Sequence, residues 1–156
     1  MTSSVPVDLI RLEDAEGNRC VVRVTGRFQP GVLTGHDILR ADVLVSASFV
    51  DARLEVYLSP HDLDDWQRDL SGIAPGRQAR IGGDRGLSLT LYAHDDGWLS
   101  VTVHDPDRLT ADLGIRPEDD WADRHQQYLR QVRRTWPSEV VSTGTGVYEW
   151  SPERGR

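Results

Sequence analysis

The chain has 156 residues, of which 38% are hydrophobic and 28% charged, and its formal net charge is -7. This length predicts one domain that can bury its own core without a disulfide or a metal. The acidic balance argues against nucleic acid and anionic membrane as partners. All 18 basic side chains are arginine, which excludes lysine chemistry such as Schiff bases and the phosphate-loop lysine.

Cys20 is the sole cysteine, so an internal disulfide is excluded and a buried structural thiol is expected. No apolar run is long enough to span a bilayer, and residues 1–14 lack the basic region and the apolar core of a secretory signal. We therefore expect a cytoplasmic protein. Residues 1–156 are expected to form a single domain, with 138–156 as a loosely attached C-terminal tail.

Period-two alternation predicts two antiparallel strand pairs in the first half of the chain. Residues 7–13 and 19–25 flank a turn-rich connection, and residues 38–49 and 54–58 follow a loop rich in glycine and proline. Ser59 and Pro60 then predict the N-cap and the first position of a helix. Leu63, Trp66 and Leu70 share one face of this short helix, which indicates that it lies across the sheet.

The stretch Leu87–Asp105 predicts a hairpin whose register can be derived. A two-residue Asp96-Gly97 loop would mix polar and apolar faces. A three-residue loop with Gly97 at positive φ instead pairs Ala93 with Leu99 and makes one face apolar throughout. The other face then carries Ser88, Thr90, Tyr92, His94, Trp98, Ser100, Thr102 and His104.

The rest of the chain predicts an edge strand, a longer helix and a tail. Residues 109–115 alternate and indicate a strand at an edge. Residues 117–135 have a stripe of Trp121, His125, Tyr128 and Val132, with acidic residues first and arginines last, as a helix dipole favours. Residues 140–150 are either a last strand or an apolar strap over the body. We find no internal repeat in the sequence.

These elements predict an α+β fold. We expect an antiparallel β-sheet system, a curved sheet or small β-sandwich of about seven strands, with one short inserted helix and one longer C-terminal helix.

Motifs of common active sites are absent: there is no phosphate loop, dinucleotide fingerprint, nucleophile elbow, His-Glu-x-x-His motif or cysteine pair. We therefore expect no cofactor and no metal, and we favour a protein that is not an enzyme without excluding catalysis. His94 and His104 share a face, but five residue pairs separate them along the strands. At roughly 3.3 Å per step, this distance is too long for one ion to bridge. His125 is read as a packing histidine, with a general base as the alternative.

Two groups of residues are candidate binding sites. Tyr92, His94 and Trp98 form an aromatic cluster on a face otherwise made of Ser and Thr, which is typical of a binding surface if neither a helix nor a second sheet covers it. Asp62, Asp64 and Asp65 are read either as a solvated helix start or as an acidic patch that steers a basic protein.

The order of elements from Ala41 to His104 resembles a family. Alternating strands are followed by LSPHDLDDWQRDL, a glycine-rich break and LSLTLYAHDDGWLSVTV. This order resembles an uncharacterised family of small actinobacterial proteins and, more distantly, the WapI-type immunity proteins that neutralise contact-delivered toxins. The resemblance covers the middle third to half of the chain, and it implies a protein that binds another protein.

Together these observations predict a cytoplasmic, non-catalytic protein-binding module of the immunity type with a basic protein partner. A small-molecule binder or enzyme with a pocket between helix and sheet is the alternative, and oligomerisation through the strand at 109–115 is the third hypothesis.

Overall fold

The computed structural model describes residues 5–83 and 86–154, which form ten strands and two helices. The elements are β1 (Val7–Glu13), β2 (Arg19–Arg27), β3 (Leu39–Ala47), β4 (Val50–Leu58), α1 (Pro60–Ser71), β5 (Gln78–Gly82), β6 (Ser88–Ala93), β7 (Leu99–Asp105), β8 (Leu109–Ile115), α2 (Trp121–Thr135), β9 (Val140–Gly144) and β10 (Val147–Trp150). The α+β fold with antiparallel sheets, a short inserted helix and a longer C-terminal helix is confirmed. The strand count is ten rather than about seven.

The strands form two four-stranded meanders and one hairpin. The first sheet has the order β1-β2-β3-β4, the second has the order β5-β6-β7-β8, and β9 pairs with β10. Although the sequence contains no repeat, the structure repeats one arrangement: each four-stranded meander is followed by a helix. The buried faces of both sheets and both helices form one continuous hydrophobic core.

The predicted register of the central hairpin is confirmed. Ala93 pairs with Leu99, Leu91 with Val101 and Leu89 with Val103, and Gly97 has φ +87°. β8 lies at the edge of its sheet, as expected. Part of the glycine-rich turn before this hairpin, at positions 84 and 85, lies outside the described residues.

The short helix starts where the sequence predicts it. Ser59 and Asp62 form a capping box, in which the Ser59 hydroxyl accepts from the Asp62 backbone and the Asp62 carboxylate accepts from the Ser59 backbone. Pro60 occupies the first turn, and Leu63, Trp66 and Leu70 are buried. The longer helix begins at Trp121 rather than at 117, after a cap at Asp120 whose side chain makes no capping hydrogen bond.

Each helix packs against the first strand of the other half of the chain. α1 follows the first sheet and packs against β5, whereas α2 follows the second sheet and packs against β1. In both cases a helix side chain accepts a backbone N–H from the edge strand. The Arg11 N–H donates to His125 Nε2 over 3.0 Å, and the Arg80 N–H donates to an Asp69 carboxylate oxygen over 3.2 Å.

His125 is held neutral by this arrangement. It is buried, its Nδ1–H donates to the Trp121 carbonyl over 2.6 Å, and Nε2 must be unprotonated to accept from Arg11. Burial lowers the pKa of His125 to about 4. The prediction that His125 packs within the helix stripe is therefore confirmed, and its ring also closes the edge of β1.

The C-terminal hairpin β9–β10 is anchored through a polar cluster. The Asp37 carboxylate accepts the backbone N–H groups of Glu139 and Val140, each over 2.9 Å. His36 hydrogen-bonds to the Glu139 carboxylate and lies edge-on to the ring of Trp150, with ring centroids 4.7 Å apart. The strands beyond these contacts are largely exposed.

The stability of the protein should fall as the pH drops from 6.5 to 4. Between these values the unfolded chain protonates His125 whereas the folded chain, with a pKa of about 4, does not, so the proton favours unfolding. The loss should reach roughly 3 kcal/mol at the acidic end. Chemical denaturation across this range measures it, and NMR titration of the His125 ring gives the folded pKa directly. The matched variant His125→Gln keeps an acceptor but does not titrate, so its stability should depend less on pH. Equal slopes in both proteins would contradict the assignment.

Removing the Asp37 carboxylate should release the hairpin without unfolding the body. Asp37→Ala leaves two backbone N–H groups without their acceptor, which should cost about 1–3 kcal/mol locally. Hydrogen exchange of the amides of 140–150 should then speed up at least about fivefold. Asp51→Ala, at an exposed position on β4, is the control and should leave this exchange unchanged. Unaltered exchange in Asp37→Ala would show that other contacts hold the hairpin.

Candidate functional site

The outward face of the second sheet is open, and it carries the three aromatic candidates at one end. Tyr92 is 40% exposed, His94 is exposed and Trp98 is half-buried. His94 Nε2 lies 2.7 Å from the Ser100 hydroxyl, and its ring lies edge-on to Tyr92 with centroids 4.9 Å apart. The structure therefore places Tyr92 in contact with His94, and Trp98 opposite His94 at the end of the strand pair, where the start of α2 adjoins it.

His104 lies at the far end of the same strand pair. Its Nδ1 is 2.7 Å from the Thr110 hydroxyl, and it pairs across the ladder with Ser88. His94 and His104 are thus separated as the register predicts, so they cannot bind one ion together.

The Trp98 ring lies beside Gly114 of the neighbouring strand. A β-carbon at Gly114 would lie 3.7 Å from the ring, at ordinary van der Waals distance. The Trp98 N–H donates to Asp96 over 3.2 Å, and its carbonyl accepts from the His94 backbone over 2.9 Å. The backbone of Trp98 is therefore held in place by two hydrogen bonds.

A cleft of about 320 Å³ opens beside Trp98, and we call it the Trp98 cleft. It lies where three segments meet: the turn between β6 and β7, the connection from α1 to β5, and the start of α2. The lining residues are Ile73, Ala74, Pro75, Ala93, His94, Asp95, Gly97, Trp98, Leu99, Pro117, Glu118, Asp119, Trp121 and Ala122. Its walls are thus mainly apolar, with two indole rings.

The charged residues of the Trp98 cleft are all acidic. Asp95, Glu118 and Asp119 are exposed, and none of them forms an ion pair with any arginine in 5–83 or 86–154. Four other cavities on the described surface each contain at least one arginine. The Trp98 cleft therefore combines two tryptophans with carboxylates that form no ion pair within the described residues, although Glu118 and Trp121 also line the cavity that contains Arg116 and Arg124.

Trp121 is the wall of this cleft that sequence reasoning assigned to the core. It is half-buried, and its ring lies edge-on to His125 with centroids 5.7 Å apart. Because His125 is itself fixed between β1 and the Trp121 carbonyl, the start of α2 has a defined position. The signal available in the sequence was the place of Trp121 directly after Glu118, Asp119 and Asp120, at the polar end of the helix stripe.

The acidic candidates on α1 lie elsewhere, and each already has a partner. Asp62 belongs to the capping box, Asp64 pairs with Arg133 of α2 over 2.8 Å, and Asp65 pairs with Arg68 over 2.9 Å. His61 Nε2 also lies 3.5 Å from the carboxylate of Asp65. None of the three aspartates lines the Trp98 cleft, so the structure does not bring the two candidate groups together.

One histidine–carboxylate cluster has donor atoms close enough to hold a metal ion. The ligand atoms of His36, Asp37 and Glu139 lie within 4.8 Å of one another. However, His36 Nδ1 accepts the Gly31 N–H over 2.9 Å, so the Nε2 nitrogen carries the proton that faces Glu139. The ring has no free lone pair for a metal, and Asp37 is engaged with the hairpin backbone. The hydrogen bond from His36 also lowers the pKa of the Glu139 carboxyl group. The cluster is explained by its role as the hairpin anchor.

A second, larger cavity lies between β1 and α2. It measures about 590 Å³ and contains His125, Tyr128 and the arginines Arg11, Arg116 and Arg124, together with acidic residues. Both ring nitrogens of His125 are used by backbone groups, so this histidine has no free nitrogen with which to abstract a proton.

Within the described residues, neither helix has the length and apolar character needed to cross a membrane. No curated protein and no solved structure matches the chain. A family model described as a family of unknown function (DUF5959) matches residues 7–137, which include both four-stranded sheets and both helices and stop before the C-terminal hairpin. The chain therefore belongs to the DUF5959 family.

Proposed function

We propose that the chain is a non-catalytic, cytoplasmic protein-binding module of the immunity type, whose partner is a basic protein. The observation that carries this proposal is the Trp98 cleft, which is lined by two tryptophans and by carboxylates that pair with no arginine of the described part of the chain. Exposed tryptophan and tyrosine side chains in a partly desolvated depression are typical of the residues that dominate protein–protein binding energy. Tyr92 and His94 extend this surface on the open face of the sheet.

The remaining acidic residues act at longer range. With a net charge of -7, the chain attracts a basic protein and accelerates the encounter, and salt weakens this effect. Asp62, Asp64 and Asp65 contribute to that field, although their contacts within the chain leave less of their charge for a direct contact. We assign direct contact to the Trp98 cleft and steering to the rest of the acidic surface.

The immunity-type role rests on the resemblance of residues 41–104 to the WapI-type immunity proteins. Such a role needs a rigid surface that binds one protein stoichiometrically, with no chemistry of its own. The backbone hydrogen bonds of Trp98 and the fixed start of α2 supply this rigidity.

The alternative is a small-molecule binder or enzyme that uses the cavity between β1 and α2. Its volume of about 590 Å³ and its mixture of arginines and carboxylates favour a polar ligand. Glu118 and Trp121 line both cavities, but Trp98 lines only the Trp98 cleft and Arg116 lines only the larger cavity, so these two residues separate the two functions. Arg116→Ala should impair the alternative function and leave protein binding intact.

Replacing Trp98 should strongly reduce capture of a basic partner. Immobilised wild-type chain in host lysate should retain one basic protein at a stoichiometric level, measured by quantitative mass spectrometry. Trp98→Ala removes an aromatic anchor and should weaken binding by about 2 kcal/mol or more. Glu118→Gln with Asp119→Asn, which keeps the shape of the rim, should reduce capture and its dependence on salt.

The matched controls remove the same groups elsewhere on the surface. Phe49→Ala truncates an aromatic side chain that is 65% exposed in the turn between β3 and β4, and Asp107→Asn with Glu153→Gln removes two exposed carboxylates outside the cleft. Both controls should retain the partner. Retention that is equal in wild type and Trp98→Ala, or that is unaffected by salt, would refute the proposal.

A further inference from the structure

The Trp98 cleft has the size of a site for a single side chain. Its volume of about 320 Å³ lies at the lower end of the range of roughly 300–1,000 Å³ that is typical of small-ligand pockets. A dinucleotide or another extended cofactor needs more room. One side chain inserted from a protein surface would fill the cleft while the surrounding surfaces meet.

The charge of the cleft selects a cation. Asp95, Glu118 and Asp119 supply three carboxylates, and among the described residues no arginine lines the cleft. Glu118 also lines the neighbouring cavity that contains Arg116 and Arg124, so Asp95 and Asp119 are the carboxylates that belong to the Trp98 cleft alone. A neutral apolar side chain would contact the indole rings but would leave these carboxylates partly desolvated without a counter-ion, which is unfavourable. A cation satisfies both the rings and the carboxylates.

Of the two long cationic side chains, arginine fits the walls better. A guanidinium is planar and weakly hydrated, it stacks on aromatic rings, and it can donate to a carboxylate with two parallel hydrogen bonds. The chain makes contacts of this kind itself: the Arg154 guanidinium lies 3.5 Å from the centroid of Trp150, and that of Arg40 lies 5.9 Å from the centroid of Phe28.

Resting on the proposed function, we propose that the Trp98 cleft is the recognition site for an arginine side chain presented by the basic protein partner. The aliphatic part of that side chain lies between Trp98 and Trp121, and its guanidinium meets the carboxylates of Glu118 and Asp119. A lysine binds in the same cleft more weakly, because an ammonium is more strongly hydrated and does not stack as a plane.

The cleft is arranged for this ligand before binding. The backbone of Trp98 is held by hydrogen bonds to Asp96 and His94, and Trp121 is fixed through His125, which is hydrogen-bonded on both ring nitrogens. Ordering an aromatic wall on binding would cost affinity, and here part of that cost is already met by folding. Gly114 adjoins the Trp98 ring, since a β-carbon there would lie 3.7 Å from it, although Gly114 is not itself in the lining.

The test uses the full chain with indole nitrogens labelled by ¹⁵N, and two tripeptide amides as probes. One is acetyl-Gly-Arg-Gly-amide, and the other carries citrulline, the neutral isostere of arginine. The arginine peptide should shift the indole signals of Trp98 and Trp121 saturably. Trp66, Trp136 and Trp150 do not line the cleft, so their signals should stay in place and also report that each variant is folded. Citrulline should bind at least about tenfold more weakly, since it lacks the charge.

Variants assign the effect to the cleft. Glu118→Gln with Asp119→Asn should weaken binding of the arginine peptide at least about tenfold, whereas the control Asp107→Asn with Glu153→Gln should not. Gly114→Val extends a branched side chain towards the Trp98 ring, whose nearest atom lies 3.7 Å from the position of the added β-carbon, so it should shift the ring, weaken binding and move the Trp98 signal in the free protein. Equal affinity for arginine and citrulline peptides, or no shift of Trp98 up to about 20 mM peptide, overturns the inference.

The failure of this inference can be distinguished from failure of the proposed function. If Trp98→Ala abolishes capture of the partner but arginine binds no better than citrulline, the surface binds protein by other contacts and the arginine site is wrong. If the arginine peptide binds as expected but Trp98→Ala still captures the partner, the site is right and the proposed function is wrong.

Discussion

The fold depends on how two edge strands are closed. β1 and β5 each begin a four-stranded meander, so each presents backbone donors that no further strand accepts. The helix that follows the opposite sheet supplies the acceptor: His125 for the Arg11 N–H and Asp69 for the Arg80 N–H. Since each half closes the edge of the other, neither half is complete alone. A single core shared by both sheets is the packing consequence of this exchange.

The packing of α2 against the first sheet also forms one side of the Trp98 cleft. Because His125 fixes α2 against β1 and also holds the Trp121 carbonyl, the start of that helix cannot move independently of the first sheet. The other wall, Trp98, lies in the turn between β6 and β7 of the second sheet, beside Gly114. The cleft is therefore a junction between the two halves, and its shape is set by the interaction that closes the edge of β1.

The local features of this fold could be derived from sequence, whereas the packing of each helix against the other half of the chain could not. Alternation fixes which side chains share a face of a strand, and the turn at Gly97 fixes the pairing of β6 with β7, so this register followed from the residues. Alternation does not say which strands are neighbours. The division into two sheets and the crossing of α1 and α2 to opposite halves depend on long-range packing. For that reason the polar stripe residue His125 was recognisable as buried, but not as the acceptor for a strand more than one hundred residues away.

The sequence also does not show which carboxylates of the candidate site are paired with an arginine. The carboxylates near the starts of the two helices look alike in sequence, yet they differ in the structure. Arg133 of α2 reaches Asp64 of α1, while no arginine of the described chain reaches Glu118 or Asp119. Which carboxylate remains available to a partner is decided by whether an arginine from another element arrives beside it, and this is a property of the tertiary fold. An acidic cluster in a sequence therefore indicates steering at a distance, and only the fold identifies those of its charges that can bind.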